Sequence, residues 1–282
     1  MTYNQLLSKY KQEIKAYNID IGTIKYYLYE LCQYYNIDLY LNIDKEVDTR
    51  IYKLFIDNIN RIYKYEPIAY ILGYCWFYGY RIIVNKDVLI PRYETEELVV
   101  NVLNYLDKYY QDYDHISLGD ICCGSGAISI ALQKEEPKLT IYSSDISKEA
   151  IDIALINSKE NDCHIKYYIG DMLDPIINDR IKLDIVVCNP PYIGDNEILD
   201  ESIINYEPDI ALFGGVKGLK YYKELLSKID LVINPKGLIA LEIGFQQSKD
   251  IVDLINFYIT NCDIEIIKDI NNKERMIFIK LK

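Results

Sequence analysis

Histidine is scarce in this chain, and its cysteines lack the spacing that metal or disulfide sites require. The sequence of 282 residues contains 2 histidines and 7 cysteines, and no two cysteines form a Cys-x-x-Cys pair. His115 and His164 have no thiol or carboxylate partner at metal-binding spacing. An odd number of cysteines also argues against a disulfide framework. We therefore expect free thiols and no metal site.

An excess of positive charge is absent as well. Lysine and arginine total 31 against 43 aspartates and glutamates, which gives a formal charge of −12. A protein that binds duplex nucleic acid normally has a basic face that displaces counterions from phosphate. No local basic patch stands out in the sequence, so direct binding to nucleic acid is not expected.

Long apolar runs are missing too. The longest are far below the roughly 20 residues that a membrane-spanning helix needs. The N-terminal segment MTYNQLLSKYKQEIK does not have the basic-then-apolar order of a signal peptide and is more typical of an amphipathic helix. We expect a cytoplasmic, soluble protein with no membrane partner.

The hydrophobic pattern changes along the chain and divides it into three parts. Residues 1–74 have apolar residues at helical spacing and predict a small all-helical domain, with one helix beginning after an N-cap at Asp44. Residues 75–91 predict a β-hairpin linker with its turn at Asn85-Lys86-Asp87. Residues 92–282 predict a second, larger domain.

In this larger domain, strands and helices alternate. The predicted strands lie near 117–122, 139–145, 164–170, 183–188, 238–243, 264–269 and 275–281. Such alternation is typical of a parallel sheet covered by helices on both faces. Only Asn271-Asn272-Lys273-Glu274 separates the last two strands, too short a link for a crossover helix, so that pair must be antiparallel. The predicted fold is α/β: a Rossmann-like, doubly wound, seven-stranded and mostly parallel sheet with one reversed strand.

A glycine-containing turn follows the first of these strands, in the segment DICCGSGAISIA. Gly124 and Gly126 allow the backbone to approach a ligand, and the helix that follows offers free N–H groups. The second strand ends at Asp145, 19 residues past Gly126, where doubly wound folds place a carboxylate for ribose hydroxyls, and Asp171 ends the third. Each feature alone fits simple strand-to-helix packing or helix capping, although Ser147 could cap in place of Asp145. Together they predict a crevice for a nucleoside.

The class of cofactor follows from what the turn lacks. A dinucleotide site would need a third glycine to admit pyrophosphate, and a triphosphate site would need Gly-Lys-Ser/Thr, but neither is present. A nucleoside without phosphate fits better, and S-adenosylmethionine is such a molecule.

The segment DIVVCNPPYIG ends the fourth strand at Asn189, because two prolines cannot continue a β-ladder. The Asn189 side-chain oxygen and the Pro190 carbonyl can accept both hydrogens of one NH2 group, and the Tyr192 ring can stack on a planar group. These acceptors would orient a planar nitrogen and stabilise the positive charge that develops on it. A rigid turn without chemistry is the alternative. With the nucleoside crevice upstream, we predict methyl transfer to a planar nitrogen, with Asn189, Pro190 and Tyr192 as catalytic residues.

Seven segments carry a further signal, in this order: EPIAYILG (66–73), WFYGYRIIVNKDVLIPRYETEELV (76–99), DICCGSGAISIAL (120–132), NPPYI (189–193), YEPDIALFGGVKGLKYY (206–222), GLIALEIGFQQ (237–247) and DINNKERMIFIK (269–280). Over nearly the whole chain, they resemble the protein-(glutamine-N5) methyltransferases that modify peptide-chain release factors. The resemblance implies a class I methyltransferase-like fold. It also implies that S-adenosylmethionine is converted to S-adenosylhomocysteine and that the substrate is the glutamine of a Gly-Gly-Gln loop.

The resemblance also implies roles for individual residues. The substrate amide would be held by Asn189, Pro190, Pro191 and Tyr192. The cofactor would be bound by Cys122, Cys123, Gly124, Ser125, Gly126, Asp145, Asp171, Met172 and Asn189. The N-terminal helical domain would help to bind the release factor, which is the expected protein partner.

Three positions depart from the pattern of that family. Cys122 stands where the turn usually has its first glycine, Tyr93 replaces a proline, and Met172 follows Asp171 where an aromatic residue is common. A methionine can still cover an adenine face, so we expect the cofactor site to be retained.

Three alternatives to this function remain open at the level of the sequence. They are a methyltransferase for an exocyclic amine of adenine or guanine, one for a ribosomal-protein glutamine, and a non-catalytic adaptor that binds release factor. The acidic charge disfavours the first. Arg92 with Glu94-Thr95-Glu96 favours the release-factor group over the second, and the intact Asn-Pro-Pro-Tyr disfavours the third.

Overall fold

The computed structural model describes residues 1–282, which form two units. One unit contains residues 1–73 and 200–206, and the other contains residues 74–199 and 207–282. Helices and strands are numbered in chain order, α1–α11 and β1–β9. No helix combines the length and the apolar composition that crossing a bilayer requires.

The first unit is all-helical. Its helices are α1 (Tyr3–Glu13), α2 (Ile21–Tyr34), α3 (Thr49–Tyr63), α4 (Ile68–Leu72) and α9 (Glu201–Ile204). The apolar residues at helical spacing form its core, in which Ile24, Leu28 and Phe55 are fully buried. The predicted N-cap at Asp44 is wrong, because that residue lies in a run of turns. Asp48 caps α3 instead and accepts a hydrogen bond from the Arg50 backbone N–H at 2.8 Å.

The second unit begins with a β-hairpin that lies earlier in the chain than predicted. Its strands are β1 (Tyr74–Phe77) and β2 (Tyr80–Ile83), and they pair antiparallel around a two-residue turn at Tyr78-Gly79. Both turn residues have positive φ, 51° and 79°, as a tight type I′ hairpin requires. The predicted turn at Asn85-Lys86-Asp87 is therefore wrong. The Asn85 side chain accepts a hydrogen bond from the Asp87 N–H at 2.9 Å, which makes a local turn without a paired strand after it.

The rest of the second unit contains the seven-stranded sheet and the helices that connect it. The strands are β3 (Ile116–Ile121), β4 (Leu139–Asp145), β5 (Lys166–Ile169), β6 (Leu183–Cys188), β7 (Ile233–Glu242), β8 (Cys262–Lys268) and β9 (Glu274–Leu281). The helices are α5 (Tyr93–Tyr109), α6 (Ala127–Glu135), α7 (Lys148–Glu160), α8 (Asp174–Asn178), α10 (Lys220–Lys228) and α11 (Ser248–Tyr258).

The strand order confirms the predicted fold class. It is β5-β4-β3-β6-β7-β9-β8; β9 pairs antiparallel with β7 and β8, and all other pairs are parallel. β3 pairs with both β4 and β6, so the chain changes direction across the sheet at this point. Because all these strands are parallel, their carboxyl ends meet at one edge, where open α/β sheets bind ligands.

The hairpin turn can be tested by changing Gly79 to Ala. The left-handed backbone at this position, with φ of 79°, costs alanine about 1 kcal/mol more than glycine. We expect the amides of β1 and β2 to exchange their hydrogens about fivefold faster in Gly79→Ala, since that cost lowers the free energy of local opening.

Lys86→Ala is the matched control, because Lys86 is exposed in the segment where the turn was predicted. It should leave this exchange unchanged. Faster exchange in the control, with normal exchange in Gly79→Ala, would contradict the observed turn.

Candidate active site

A cavity opens at the edge where β3, β4 and β6 end. Most of the predicted site residues line it: Cys122, Cys123, Gly124, Ser125, Asp145, Asp171, Met172, Asn189 and Pro191. Gly126, Pro190 and Tyr192 are not part of this lining. The sheet thus brings together residues that are up to about 70 positions apart in the chain.

The turn between β3 and α6 forms one wall of the cavity. Cys122, Gly124 and Gly126 all have positive φ, at 63°, 52° and 79°. A Cβ on Gly126 would lie 2.6 Å from the Tyr167 hydroxyl oxygen and 3.1 Å from the Ala154 Cβ. This glycine therefore allows the start of α6 to pack closely against α7 and β5.

Asp145 fixes the shape of this turn. One carboxylate oxygen accepts a hydrogen bond from the Gly124 N–H at 2.8 Å, and the other accepts one from the Ser147 N–H at 2.9 Å. Ser147 caps α7 as expected, by accepting from the Ala150 N–H at 3.1 Å. Asp145 is therefore not the cap, yet it is already bonded to the backbone. A carboxylate has about four acceptor positions, so the backbone N–H groups do not use all of them and a ligand can still bind.

A cluster of sulfur atoms forms an apolar part of the lining. The Cys122 thiol lies 3.4 Å from the Met172 thioether and also contacts the Cys188 thiol. The bond to Cys188 and burial raise the pKa of Cys122 well above its usual value, so this thiol stays protonated. Met172 has a positive φ of 46°, and its carbonyl accepts a hydrogen bond from the Ser144 hydroxyl at 2.8 Å.

The Asn189 side chain is held by a chain of hydrogen bonds that ends on a buried carboxylate. Its Nδ2 donates to the Thr95 hydroxyl oxygen at 3.2 Å, and Thr95 donates to one Glu242 oxygen at 2.7 Å. The Tyr192 hydroxyl donates to the other Glu242 oxygen at 3.4 Å. No group of the protein donates to Asn189 Oδ1 or to the Pro190 carbonyl. The Asn189 oxygen therefore remains available to a ligand in the cavity, whereas Pro190 is buried and lies outside the lining.

Glu242 and Tyr192 lie behind this part of the cavity. Glu242 is only 1% exposed, and burial raises its pKa to about 7. Burial and the nearby Glu242 also raise the pKa of Tyr192. The Tyr192 backbone carbonyl accepts a hydrogen bond from the Gln247 side chain at 2.8 Å. The predicted stacking role of Tyr192 stays a prediction; in this structure its hydroxyl and backbone are held by protein groups.

An ion pair between a partly exposed arginine and a buried glutamate supports another part of the cavity lining. Arg92 and Glu207 lie 2.5 Å apart, and the Ile90 N–H donates to the same carboxylate at 3.3 Å. These bonds hold the Pro91 segment beside the 208–211 turn, and both line the cavity. Both segments belong to motifs of the sequence, at 76–99 and 206–222, but no sequence pattern indicates a contact between them.

Thr95 and Glu242 are the site residues that sequence reasoning missed. Thr95 lies in the first turn of α5, and Glu242 is the last residue of β7. They are 147 positions apart, and neither strand nor helix periodicity indicates that they meet. The sequence does contain one signal for Glu242: it is the charged residue within the apolar segment GLIALEIG, and a glutamate at the end of a buried strand needs a hydrogen-bond partner.

Comparison with known proteins gives a consistent assignment. The methyltransferase small domain family matches residues 103–205. The release factor glutamine methyltransferase of Bacillus cereus is 37% identical over 86% of this chain and 87% of its own length. The enzyme of the same name from Clostridium acetobutylicum is 39% identical over 78% of this chain and 77% of its own length.

The chain belongs to the release factor glutamine methyltransferase family. The resemblance noted in the sequence is thereby confirmed.

Solved structures agree with the fold of this family member. A methyltransferase from Pyrococcus furiosus, 14% identical, superposes with a TM-score of 0.52 over 72% of this chain and 89% of its own. The N-terminal domain of human METTL16 in complex with SAH, 17% identical, gives 0.53 over 72% of this chain and 76% of its own. At such identities the similarity concerns the fold alone.

Asp120, at the end of β3, is a second buried carboxyl group in this methyltransferase. It is 0% exposed; one oxygen accepts a hydrogen bond from the Ser129 hydroxyl at 2.5 Å, and the other oxygen has no partner. Burial raises the pKa of Asp120 to about 7. The folded state therefore retains a proton that the unfolded chain loses near pH 4.

This difference predicts how stability depends on pH. Since the folded state binds the extra proton between about pH 4 and 7, stability should fall as the pH rises through this range. In Asp120→Asn, the loss of stability between pH 5 and 8 should shrink by about 2 kcal/mol. The measurement is the opening free energy of the β3 amides, from hydrogen exchange corrected for intrinsic rates.

Asp107→Asn, at an exposed carboxylate, is the control and should behave like the unchanged protein. If stability depends equally on pH in Asp120→Asn and in the unchanged protein, the raised pKa of Asp120 is contradicted.

Proposed function

We propose that the protein transfers a methyl group from S-adenosylmethionine to the side-chain amide nitrogen of the glutamine in the Gly-Gly-Gln loop of a peptide-chain release factor. The observation that carries the proposal is the orientation of Asn189. Its amide nitrogen is bonded to Thr95, and its oxygen is left free at the cavity.

The cavity has the features that a nucleoside cofactor requires. A Cβ on Gly124 would meet nothing within 4 Å, so open space adjoins the turn backbone. Asp145 has spare acceptor positions for ribose hydroxyls, and Met172 with Cys122 offers an apolar surface for a base. S-adenosylmethionine, when bound, supplies a methyl group on a sulfonium, which is a good leaving group.

Asn189 and Pro190 would bind the substrate amide through its nitrogen. The Asn189 oxygen and the Pro190 carbonyl can each accept one N–H of the glutamine NH2 group. The lone pair of an amide nitrogen is delocalised, so the nitrogen is a poor nucleophile. Two acceptors aim this nitrogen and become stronger partners as positive charge develops on it. The protonated amide that results is a strong acid and releases its proton to water without a catalytic base.

The partner and the place of action follow from this substrate. Release factors work in translation, so we propose a cytoplasmic enzyme. The helical segment 1–74 would bind the release factor, with 75–91 as a linker and 92–282 as the S-adenosylmethionine-dependent domain. A net charge of −12 supports a protein substrate over a nucleic acid.

The decisive experiment uses a release factor and methyl-labelled S-adenosylmethionine. Mass spectrometry should find the added methyl group on the Gly-Gly-Gln glutamine. Labelling of a ribosomal protein or of nucleic acid instead would refute the proposal.

Asn189→Ala tests the proposed contact with the substrate. We expect turnover to fall by at least about 100-fold, because one of the two acceptors is lost from the transition state, as on removal of an oxyanion-hole donor. Cofactor affinity, measured by calorimetry with S-adenosylhomocysteine, should fall only modestly. Asn178→Ala, at an exposed position on α8, should retain full activity. Unchanged turnover in Asn189→Ala would remove Asn189 from the mechanism.

Asp145→Ala tests the cofactor site. The substitution removes the acceptors for ribose and frees the Gly124 N–H, so S-adenosylhomocysteine should bind at least about 10-fold more weakly. Asp152→Ala, at an exposed carboxylate on the neighbouring helix α7, is the control. Equal affinity in both variants would place the cofactor elsewhere.

A further inference from the structure

The two ends of an asparagine amide have nearly the same shape but opposite hydrogen-bonding character. Rotating the Asn189 amide by 180° would exchange Oδ1 for the NH2 group. A donor would then face the NH2 group of the substrate, and the two would repel each other. The proposed reaction therefore requires a device that fixes one of the two orientations.

The structure contains such a device in Thr95 and Glu242. A threonine hydroxyl has one hydrogen, and Thr95 directs it to the Glu242 carboxylate at 2.7 Å. Its oxygen then has only lone pairs to offer Asn189, and the Nδ2 group donates to it at 3.2 Å. An ionised carboxylate accepts hydrogen bonds but cannot donate them, so Glu242 sets the direction of both hydrogen bonds, that of Thr95 and that of Asn189.

The surroundings of Glu242 complete this arrangement. Tyr192 donates to its second oxygen, Arg275 on β9 exerts a favourable charge interaction, and Glu94 on α5 exerts an unfavourable one. Arg275 is in turn 3.5 Å from Asp269. Two hydroxyl groups donate to the ionised Glu242, so the direction of the hydrogen bonds from Asn189 through Thr95 to Glu242 is fixed.

We propose that Thr95 and Glu242 are positioning residues that fix the orientation of the Asn189 amide, so that its oxygen faces the substrate. This inference rests on the proposed function for its consequence in catalysis. Neither residue needs to contact the reacting atoms; each acts through Asn189.

Protonation of Glu242 would reverse the direction of the hydrogen bonds that link it through Thr95 to Asn189. A protonated carboxyl can donate to Thr95, which can then donate to the Asn189 oxygen and turn the NH2 group towards the substrate. Because burial raises the pKa of Glu242 to about 7, this reversal falls within a testable range. Activity should therefore rise with pH as Glu242 ionises, and fall below about pH 7.

The first experiment removes the Thr95 hydroxyl while keeping its shape. In Thr95→Val, kcat/KM for the release factor should fall roughly 10- to 100-fold, the range for a buried hydrogen bond that is lost. Thr95→Ser keeps the hydroxyl and should restore activity to within about threefold. Thr140→Val, at a partly buried threonine of β4, is the matched control for loss of a hydroxyl. The affinity for S-adenosylhomocysteine should stay within about threefold in every variant, which shows that each one is folded.

The second experiment distinguishes positioning from a purely structural role. The fall in kcat/KM below about pH 7 should disappear in Glu242→Gln, which cannot ionise, and activity there should be low at all pH values. It should persist in Asp120→Asn, because that buried carboxyl group does not bond to Asn189. A flat profile in the unchanged protein, or an acid limb that survives in Glu242→Gln, would overturn the proposal.

A third measurement does not depend on turnover. The side-chain NH2 resonances of Asn189, assigned by their loss in Asn189→Ala, should shift between pH 6 and 8 in the unchanged protein. They should not shift in Glu242→Gln or Thr95→Val. If release factor is not methylated but these shifts occur, the proposed function fails and the positioning role stands. If methylation occurs without the shifts, the positioning role fails alone.

Discussion

A buried carboxylate determines how the site presents its amide. Glu242 cannot donate a hydrogen bond when ionised, so Thr95 must donate to it, and Asn189 must donate to Thr95. In the proposed reaction, the recognition of an NH2 group depends on this direction, because an inverted amide would offer a donor to a donor. Three hydrogen-bonding groups in fixed order thus define the chemistry of a site that has no histidine in its lining.

The sheet provides the positions on which this order depends. Asn189 follows β6 and Glu242 ends β7, and these neighbouring parallel strands place both residues at the same edge. The tandem prolines stop β6 immediately after Asn189, so the side chain and the next carbonyl are held at a rigid strand end. Thr95 comes from the first turn of α5, and the Arg92–Glu207 ion pair holds the segment that leads into this helix.

The fold and much of the site could be predicted from the sequence because they depend on local patterns. Buried strands, glycines in a turn and prolines after an asparagine each have a local physical cause, and the short link before β9 forces an antiparallel pair. Contacts between distant residues could not be predicted in this way. The bond from Thr95 to Glu242 joins residues 147 positions apart, and no periodicity encodes it. The hairpin was misplaced for a related reason: Asn85-Lys86-Asp87 has turn-forming residues, but Gly79 supplies the positive φ that a two-residue hairpin needs.

Asp145 shows why the site is organised before any ligand binds. Desolvation raises the pKa of this carboxyl, while backbone N–H groups of Ser147, Gly124 and Ile146 lower it, so the bonds oppose the cost of burying the charge. The same bonds fix both the carboxylate and the turn that lines the cavity. A ligand with vicinal hydroxyls would therefore meet acceptors that need no rearrangement, and little of its binding energy would be spent on ordering the protein. The principle is the one that operates at Asn189, where the protein groups that hold the side chain also leave its oxygen free.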